Sequence, residues 1–218
     1  MIGEILPPEV VAVEAFEDAP GATLFPEEEA VVGKAVEKRR REFTTARVCA
    51  RAALAKLGLP PVPILPGLRG APQWPAGIVG SITHCAGYRA SAVARSADIV
   101  TIGVDAEPNG ALPDGVLGVI SSADERARVT DLMDGGRDAC WDRLLFSAKE
   151  SVYKAWFPLT RRWLGFEDAS VDINPVDGTF AARLLVEGPW LNGGPLTGFT
   201  GRWLIRNGLI ITTIAVPS

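Results

Sequence analysis

Apolar residues recur every third or fourth position in two long stretches of the chain and every second position in several short ones, the periods of helix and strand. Over residues 38–57 the stepping positions are Phe43, Ala46, Ala50, Ala53, Leu54 and Leu57, and Gly58 with Pro60 predicts the helix end. Over 138–157 they are Trp141, Leu144, Leu145, Ala148, Val152, Ala155 and Trp156, and Phe157-Pro158 predicts the stop. A shorter helix begins at Pro26, with Glu27, Glu28 and Glu29 on the positive end of its dipole and a break near Gly33. Another covers 116–132, with Ser121-Ser122 as a cap ahead of Asp124-Glu125 and Gly135-Gly136 as its break. Strands are predicted over 10–15, 80–85, 88–94 and 98–107, then 169–173, 179–187, 197–205 and 209–216. Asn207-Gly208 between the last two is a two-residue hairpin signal.

Each half of the chain thus holds one main helix and several strands, an α+β pattern. Residues 109–115 read as a linker, so an N-terminal half (1–108) and a C-terminal half (109–218) are expected. Residues 58–77 are rich in Pro and Gly with apolar residues interleaved, which predicts a shaped loop rather than disorder.

Composition narrows the function. At 218 residues the chain is long enough for a sizeable core. A net charge of −4 gives no nucleic-acid footprint. Three separated cysteines, Cys49, Cys85 and Cys140, argue against a disulfide framework or a structural zinc site. The N-terminus lacks a basic region with a sustained apolar run, and no stretch approaches about 18 apolar residues, so neither a secretory signal nor a membrane span is expected. A cytoplasmic protein, acting as a monomer, is the expectation.

Four features carry candidate chemistry. The stretch Thr101-Ile102-Gly103-Val104-Asp105-Ala106-Glu107-Pro108 reads as a strand ending in two acids. Period two puts Asp105 and Glu107 on one side, roughly 7 Å apart, which suits a hard cation such as Mg²⁺ and equally suits a solvated strand end. On the first long helix Arg40, Arg47 and Arg51 fall within about 40° on the helical wheel, with Arg39 at its start; this is a solvated face or a phosphate clamp. His84, the single histidine, ends a strand after Ser81 and Thr83. Glu150 and Lys154 are i, i+4 neighbours in an aromatic-rich helix, either a plain surface pair or an acid–base pair at a core edge.

Three of these stand in one order: Gly80-Ser81-Ile82-Thr83-His84, then Ile102-Gly103-Val104-Asp105-Ala106-Glu107, then Phe146-Ser147-Ala148-Lys149-Glu150-Ser151-Val152-Tyr153-Lys154-Ala155-Trp156. With Gln73-Trp74-Pro75 and the stretch from Trp163 to Asp168, the set resembles the Sfp-type 4′-phosphopantetheinyl transferases, in the branch with enterobactin-synthase-type and actinobacterial enzymes. The resemblance implies a pseudo-twofold α+β fold of two similar subdomains with the active site in the cleft between them. It implies transfer of the phosphopantetheine group of coenzyme A to a serine of acyl, polyketide-synthase or peptidyl carrier proteins, with release of adenosine 3′,5′-bisphosphate. It also implies a metal, Mg²⁺ with Mn²⁺ as an alternative, on Asp105, Glu107 and Glu150. Glu150, Lys154 and Asp105 would be catalytic. Arg39, Arg47, His84, Ser81, Thr83, Lys149 and Lys154 would bind coenzyme A. Pro66 stands where some relatives carry a phosphate-binding lysine, with Arg69 close by. Leu112, Val116 and Leu117 are expected at the carrier surface. The alternatives are a coenzyme A- or nucleotide-binding module without chemistry, and a Mg²⁺-dependent phosphohydrolase.

Overall fold

The two helical stretches become the two longest helices, and the alternating stretches become the strands they pack on. A computed structural model describes residues 1–135, 139–191 and 193–218. In chain order the elements are β1 (Val11–Ala15), α1 (Pro26–Val32), α2 (Glu37–Lys56), β2 (Ile78–Cys85), β3 (Tyr88–Arg95), β4 (Ile99–Pro108), α3 (Val116–Ile120), α4 (Ala123–Asp134), α5 (Trp141–Thr160), β5 (Ala169–Asn174), β6 (Thr179–Leu184), β7 (Trp190–Leu191), β8 (Gly194–Pro195), β9 (Gly198–Arg206) and β10 (Leu209–Pro217). The architecture is α+β, as expected.

Strands form a three-stranded sheet, β1-β3-β2, and a five-stranded sheet, β4-β10-β9-β6-β5, with β7-β8 as a separate short pair. The two larger sheets meet where β2 lies beside β4. Two hydroxyls of β2 take the place of ladder carbonyls there: Ser81 Oγ accepts from the Val104 amide at 3.1 Å and Thr83 Oγ1 from the Ala106 amide at 3.0 Å. The advance of two residues on both strands makes them parallel. Helix α2 packs on β1 and β3, and α5 on β4 and β10.

One core cluster lies under α5 and includes Trp141, Leu144, Leu145, Val152 and Trp156 with strand residues such as Val171, Phe180 and Ile214. A second lies under α2, where Ala50, Ala53 and Leu54 meet Ile64, Ile78 and Val93. A third joins them and takes Ile102, Val104 and Ala106 from β4. Its apolar face therefore points to that third core, while Thr101, Gly103, Asp105 and Glu107 face α5. Gly103 is the closest approach: a Cβ there would lie 2.0 Å from the Ser151 carbonyl oxygen. A glycine is what lets α5 cross β4 at this point.

Several boundaries differ from expectation. Helix α5 passes through Pro158 and ends at Arg161, which is left-handed at φ 55°. Proline removes only its own amide bond, and the last turn still closes through Arg161 N–H donating to the Phe157 carbonyl at 2.8 Å. The start expected at Asp138 and the Gly136 part of the Gly135-Gly136 break lie outside the described residues. The helix expected over 116–132 divides into α3 and α4 at Ser121-Ser122, because the Ser122 hydroxyl and the Glu125 carboxylate each accept the other residue's amide as a capping box. The Asn207-Gly208 hairpin is present, with both residues at positive φ.

The expected division at 108 falls just at the end of β4. All ladder pairing of β4 is with β10, so hydrogen bonding groups β4 with the later strands. The linker is pinned rather than free. The Leu112 amide donates to Asp142 Oδ2 at 2.8 Å, and Arg143 donates to the carbonyls of Gly110 and Ala111 at 3.0 and 2.9 Å.

Candidate active site

Asp105 sits where β4, β2 and α5 converge, and only 5% of it is exposed. Its Oδ1 accepts from Lys154 Nζ at 2.7 Å and from Thr83 Oγ1 at 3.3 Å, and its Oδ2 accepts from Ser147 Oγ at 2.9 Å. Lys154 also donates to the Val104 carbonyl at 3.1 Å. Ser147, Ser151 and Thr212 continue this polar seam, their hydroxyls 2.6–3.0 Å apart. The strand period, the β2–β4 junction and the one-turn spacing of Ser147, Glu150 or Ser151, and Lys154 on α5 are thus what build the site.

Glu107 is half-buried and accepts from Arg143 Nη1 at 3.0 Å. Burial raises its carboxyl above the ordinary range; the Asp105 charge adds to this and Arg143 opposes it. Glu150 is half-buried too. Burial raises it most, Lys154 opposes the rise, and the Asp105 charge adds to it. Asp105 therefore repels both other acids, and a cation shared among them would relieve that repulsion. The donor chemistry, all oxygen and anionic, fits a hard divalent cation. Among the described residues, however, no three His, Cys, Asp or Glu side chains are grouped closely enough to hold one as they stand, and Lys154 and Arg143 meet two of the three acids.

Glu150 and Lys154 line a cleft of about 740 Å³. One wall comes from the loop 67–74 with β2, the other from α5, with Tyr153, Phe157 and Arg161. Trp74 packs over Gly80, where a Cβ would meet its ring at 2.8 Å, and its indole N–H donates to the Gly80 carbonyl at 2.9 Å. The Gln73-Trp74-Pro75 stretch is thereby fixed as cleft wall.

The basic stripe of α2 separates into two parts. Arg51 donates to both oxygens of the buried Glu28 at 3.0 and 2.8 Å, and Glu28 also accepts the amides of Phe25 and Ile64. Arg40 pairs with Glu29. These two fasten α1 and the loop at Ile64 to α2. Arg39 instead reaches β2, its Nη1 donating to His84 Nε2 at 2.6 Å. A guanidinium only donates, so Nε2 carries no proton and the imidazole is neutral. Burial lowers the His84 pKa, and the Arg39 charge lowers it further. Arg47 is buried, stacked 3.5 Å from the Phe43 ring centre, with Nε donating to the Ile64 carbonyl at 3.2 Å. Burial brings its pKa down to about 10.

Three expected ligand-binding residues have other partners. Lys149 lies on another face of α5, where its Nζ donates to Glu125 and to the carbonyls of Phe166 and Ala169 at 2.6–3.0 Å. An ammonium has three protons and all three have acceptors here, so Lys149 holds α5 to α4 and β5. Ser81 and Thr83 engage their hydroxyls with β4 as described. Sequence reasoning missed Arg143, Ser147, Ser151 and Thr212. Ser147 and Ser151 share the i, i+4 spacing of Glu150 and Lys154, and Thr212 interrupts an apolar strand; those were the available signals. At the expected carrier surface, Leu117 packs against the α5 core cluster, and Val119, 78% exposed, is what α3 shows to solvent.

The arrangement joins an acid and a lysine at the Asp105 junction, and sets an arginine–histidine pair at the end of the neighbouring strand β2. Residues 27–94 match the 4′-phosphopantetheinyl transferase N-terminal domain, and residues 101–193 match the 4′-phosphopantetheinyl transferase superfamily. The chain belongs to this family of transferases. It is 57% identical over 221 residues to 4′-phosphopantetheinyl transferase Svp of Streptomyces mobaraensis, covering 100% of this chain and 90% of that protein. To 4′-phosphopantetheinyl transferase PptT of Mycobacterium tuberculosis it is 48% identical over 224 residues, covering 99% and 98%. Enterobactin synthase component D of Escherichia coli is 34% identical over 120 residues, 54% of this chain and 55% of that protein. The two family matches divide between residues 94 and 101, at the β3–β4 turn, where the ladders of the two larger sheets also divide.

Proposed function

We propose that this enzyme transfers the 4′-phosphopantetheine group of coenzyme A to a serine of acyl, polyketide-synthase or peptidyl carrier proteins, in the cleft between two related halves. The observation that carries the reading is the Asp105 junction: a buried carboxylate shared by Thr83, Ser147 and Lys154 beside a second lysine-facing acid, Glu150, in a cleft. That each half packs a 20-residue helix on a sheet supports the pseudo-twofold relation.

The serine hydroxyl attacks the β-phosphorus of coenzyme A, and the bond to the departing adenosine bisphosphate breaks. Glu150, its pKa raised by burial, takes the serine proton; a carboxylate shifted toward neutrality is a better base at physiological pH. Lys154 lies beside the cleft with its side chain 26% exposed, placed to donate to the departing phosphate. Arg39, His84 and Arg47 hold the 3′-phosphate of the nucleotide. Asp105, Glu107 and Glu150 would hold Mg²⁺, or Mn²⁺, which supplies charge neutralisation on the pyrophosphate when bound. Ser147 and Thr83 keep Asp105 in place. Val119 is the contact that α3 offers a carrier. The free, largely buried thiols support a cytoplasmic setting.

One incubation tests this: the protein, coenzyme A, Mg²⁺ and an apo carrier protein, read by intact mass. The carrier gains a single phosphopantetheine group, and Asp105→Asn or Glu150→Gln abolishes the gain. An unmodified carrier across fatty-acid, polyketide and peptide types, with coenzyme A still bound, leaves a binding module. Nucleotide release without carrier labelling leaves a phosphohydrolase.

A further inference from the structure

Arg69 is a left-handed residue (φ 54°, ψ 26°) in a loop whose every other feature is built for rigidity. The loop closes on itself through Gly67 N–H donating to the Ala71 carbonyl at 2.7 Å, Gly70 N–H to the Gly67 carbonyl at 3.0 Å and Gln73 N–H to the Leu65 carbonyl at 2.9 Å. A branched-out L-residue persists in that backbone region only where its surroundings determine it. The consequence is that the Arg69 side chain leaves a fixed base in one direction. Its guanidinium carbon lies 4.9 Å from the centre of the Trp163 ring, while Arg69 lines one wall of the cleft and Tyr153, on which Trp163 packs, lines the other. Trp163 is 59% exposed. Behind it, Trp163 contacts Tyr153 at 5.1 Å between ring centres and Tyr153 contacts Phe157 at 5.7 Å. The Tyr153 hydroxyl is buried and has no hydrogen-bond partner. Among the described residues Arg69 forms no ion pair with a carboxylate.

We propose that the Arg69–Trp163 stack is a strap across the mouth of the cleft, which opens to admit coenzyme A and re-forms over the bound molecule, so that Arg69 is a positioning residue for substrate retention. The inference rests on coenzyme A being what occupies this cleft. A partly exposed cation–π contact is weak, so the strap opens readily and does not block entry. Because it joins a loop of one wall to a ring packed on Tyr153 of the other, it acts on escape rather than on the phosphoryl step. This gives Arg69 a place distinct from that of the phosphate-binding lysine absent at Pro66: the guanidinium faces an aromatic ring.

The decisive variant is Arg69→Gly. Glycine is at ease at φ 54°, so the side chain is removed while the backbone is relaxed and the melting temperature is held or raised. Coenzyme A dissociation, followed by stopped-flow fluorescence, is expected to quicken about two- to fivefold, the range an exposed cation–π contact supplies. KM for coenzyme A rises accordingly and kcat stays within about twofold. Arg69→Lys keeps a cation over the ring and retains most of the slow release. Trp163→Ala quickens release as well, and adding Arg69→Gly to it produces no further change. Wild-type dissociation in Arg69→Gly, or two effects that multiply in the double variant, overturns the strap while leaving the cleft assigned. Failure of the wild-type enzyme to bind coenzyme A overturns the assignment of the cleft and the strap with it.

Discussion

Helices α2 and α5 each run for 20 residues, and each sets charged side chains beside an apolar face. In α2 two of the arginines, Arg40 and Arg51, are bound to acids of α1, while Arg39 reaches across to His84. In α5 the division falls between lysines: Lys149 is bound to Glu125 of α4, while Lys154 reaches across to Asp105 of β4. In both helices a cation whose acid belongs to a flanking helix is a fastener, and one whose partner belongs to the β2–β4 junction is part of the site. The helical wheel separates the two lysines, which lie on different faces of α5, but groups Arg40 and Arg51 with Arg47; the origin of the partner separates both sets.

The sharpest break in that comparison is between the two lysines of α5. Lys154→Ala is expected to cut carrier modification by about 10²–10³-fold, the usual cost of removing a donor aimed at developing charge, and to lower melting as well, because Asp105 is left buried without its cation. Lys149→Ala leaves the Glu125 carboxylate buried without its cation, a defect of about 3–5 kcal/mol and a large share of the stability of an ordinary domain. Thermal melts beside mass-spectrometric transfer assays read both. A Lys149 variant that melts normally and fails only in coenzyme A binding would put Lys149 back among the phosphate ligands. The arginines repeat the test at smaller scale. Arg51→Ala is expected to lower stability by about 3 kcal/mol, because Glu28 is fully buried, and to leave KM alone. Arg39→Ala, at an exposed position, is expected to raise KM for coenzyme A about tenfold, the loss of one charged hydrogen bond, and to leave melting unchanged.

This division also marks how far the sequence could be read. Asp105 and Glu107 facing one side, and Glu150 and Lys154 sharing a helical face, follow from local periods, so they were legible. So were α2, the Asn207-Gly208 hairpin and the cap at Ser122. The fasteners were not, because each joins residues far apart in the chain: Arg51 to Glu28 across 23 positions, Lys149 to Glu125 across 24. Nothing within one element says that Lys149 turns away from Glu150 beside it. The pairing of β4 with β10 is of the same kind, since composition marked 109–115 as a linker while the ladder bonds place β4 on its far side. Pro158 was over-read as a stop, where losing one amide bond near a helix end proves tolerable.

The crossing of α5 over β4 is the place where the helix carrying Glu150 and Lys154 meets the strand carrying Asp105. Gly103→Ala would set a methyl 2.0 Å from the Ser151 carbonyl oxygen, and that oxygen is backbone. The helix must lift, at a cost of about 1–3 kcal/mol for an overpacked site. Lys154 and Ser147 would then move away from Asp105, so activity is expected to fall more than melting does. The same substitution at Gly110, which has nothing within 4 Å of a built Cβ, is expected to change neither. Equal losses from both would show that contact at the crossing does not set the site.

The smallest effect concerns the other end of the substrate. Burial and the Arg39 charge hold the folded His84 pKa below its ordinary value. Unfolded, the imidazole titrates near about 6.5, so the unfolded chain binds the extra proton first as pH falls. His84 therefore contributes stability above that pH which is lost on acidification toward the folded pKa. A phosphate dianion placed against Arg39 and His84 reverses the electrostatics and raises the folded pKa. Coenzyme A binding near pH 6 is then accompanied by uptake of a fraction of a proton, and near pH 8 by none. Calorimetric titrations in buffers of different ionisation enthalpy measure this directly. His84→Gln removes the buffer dependence but keeps Arg39 and most of the affinity. A binding enthalpy that is the same in every buffer at pH 6 would place the 3′-phosphate away from His84.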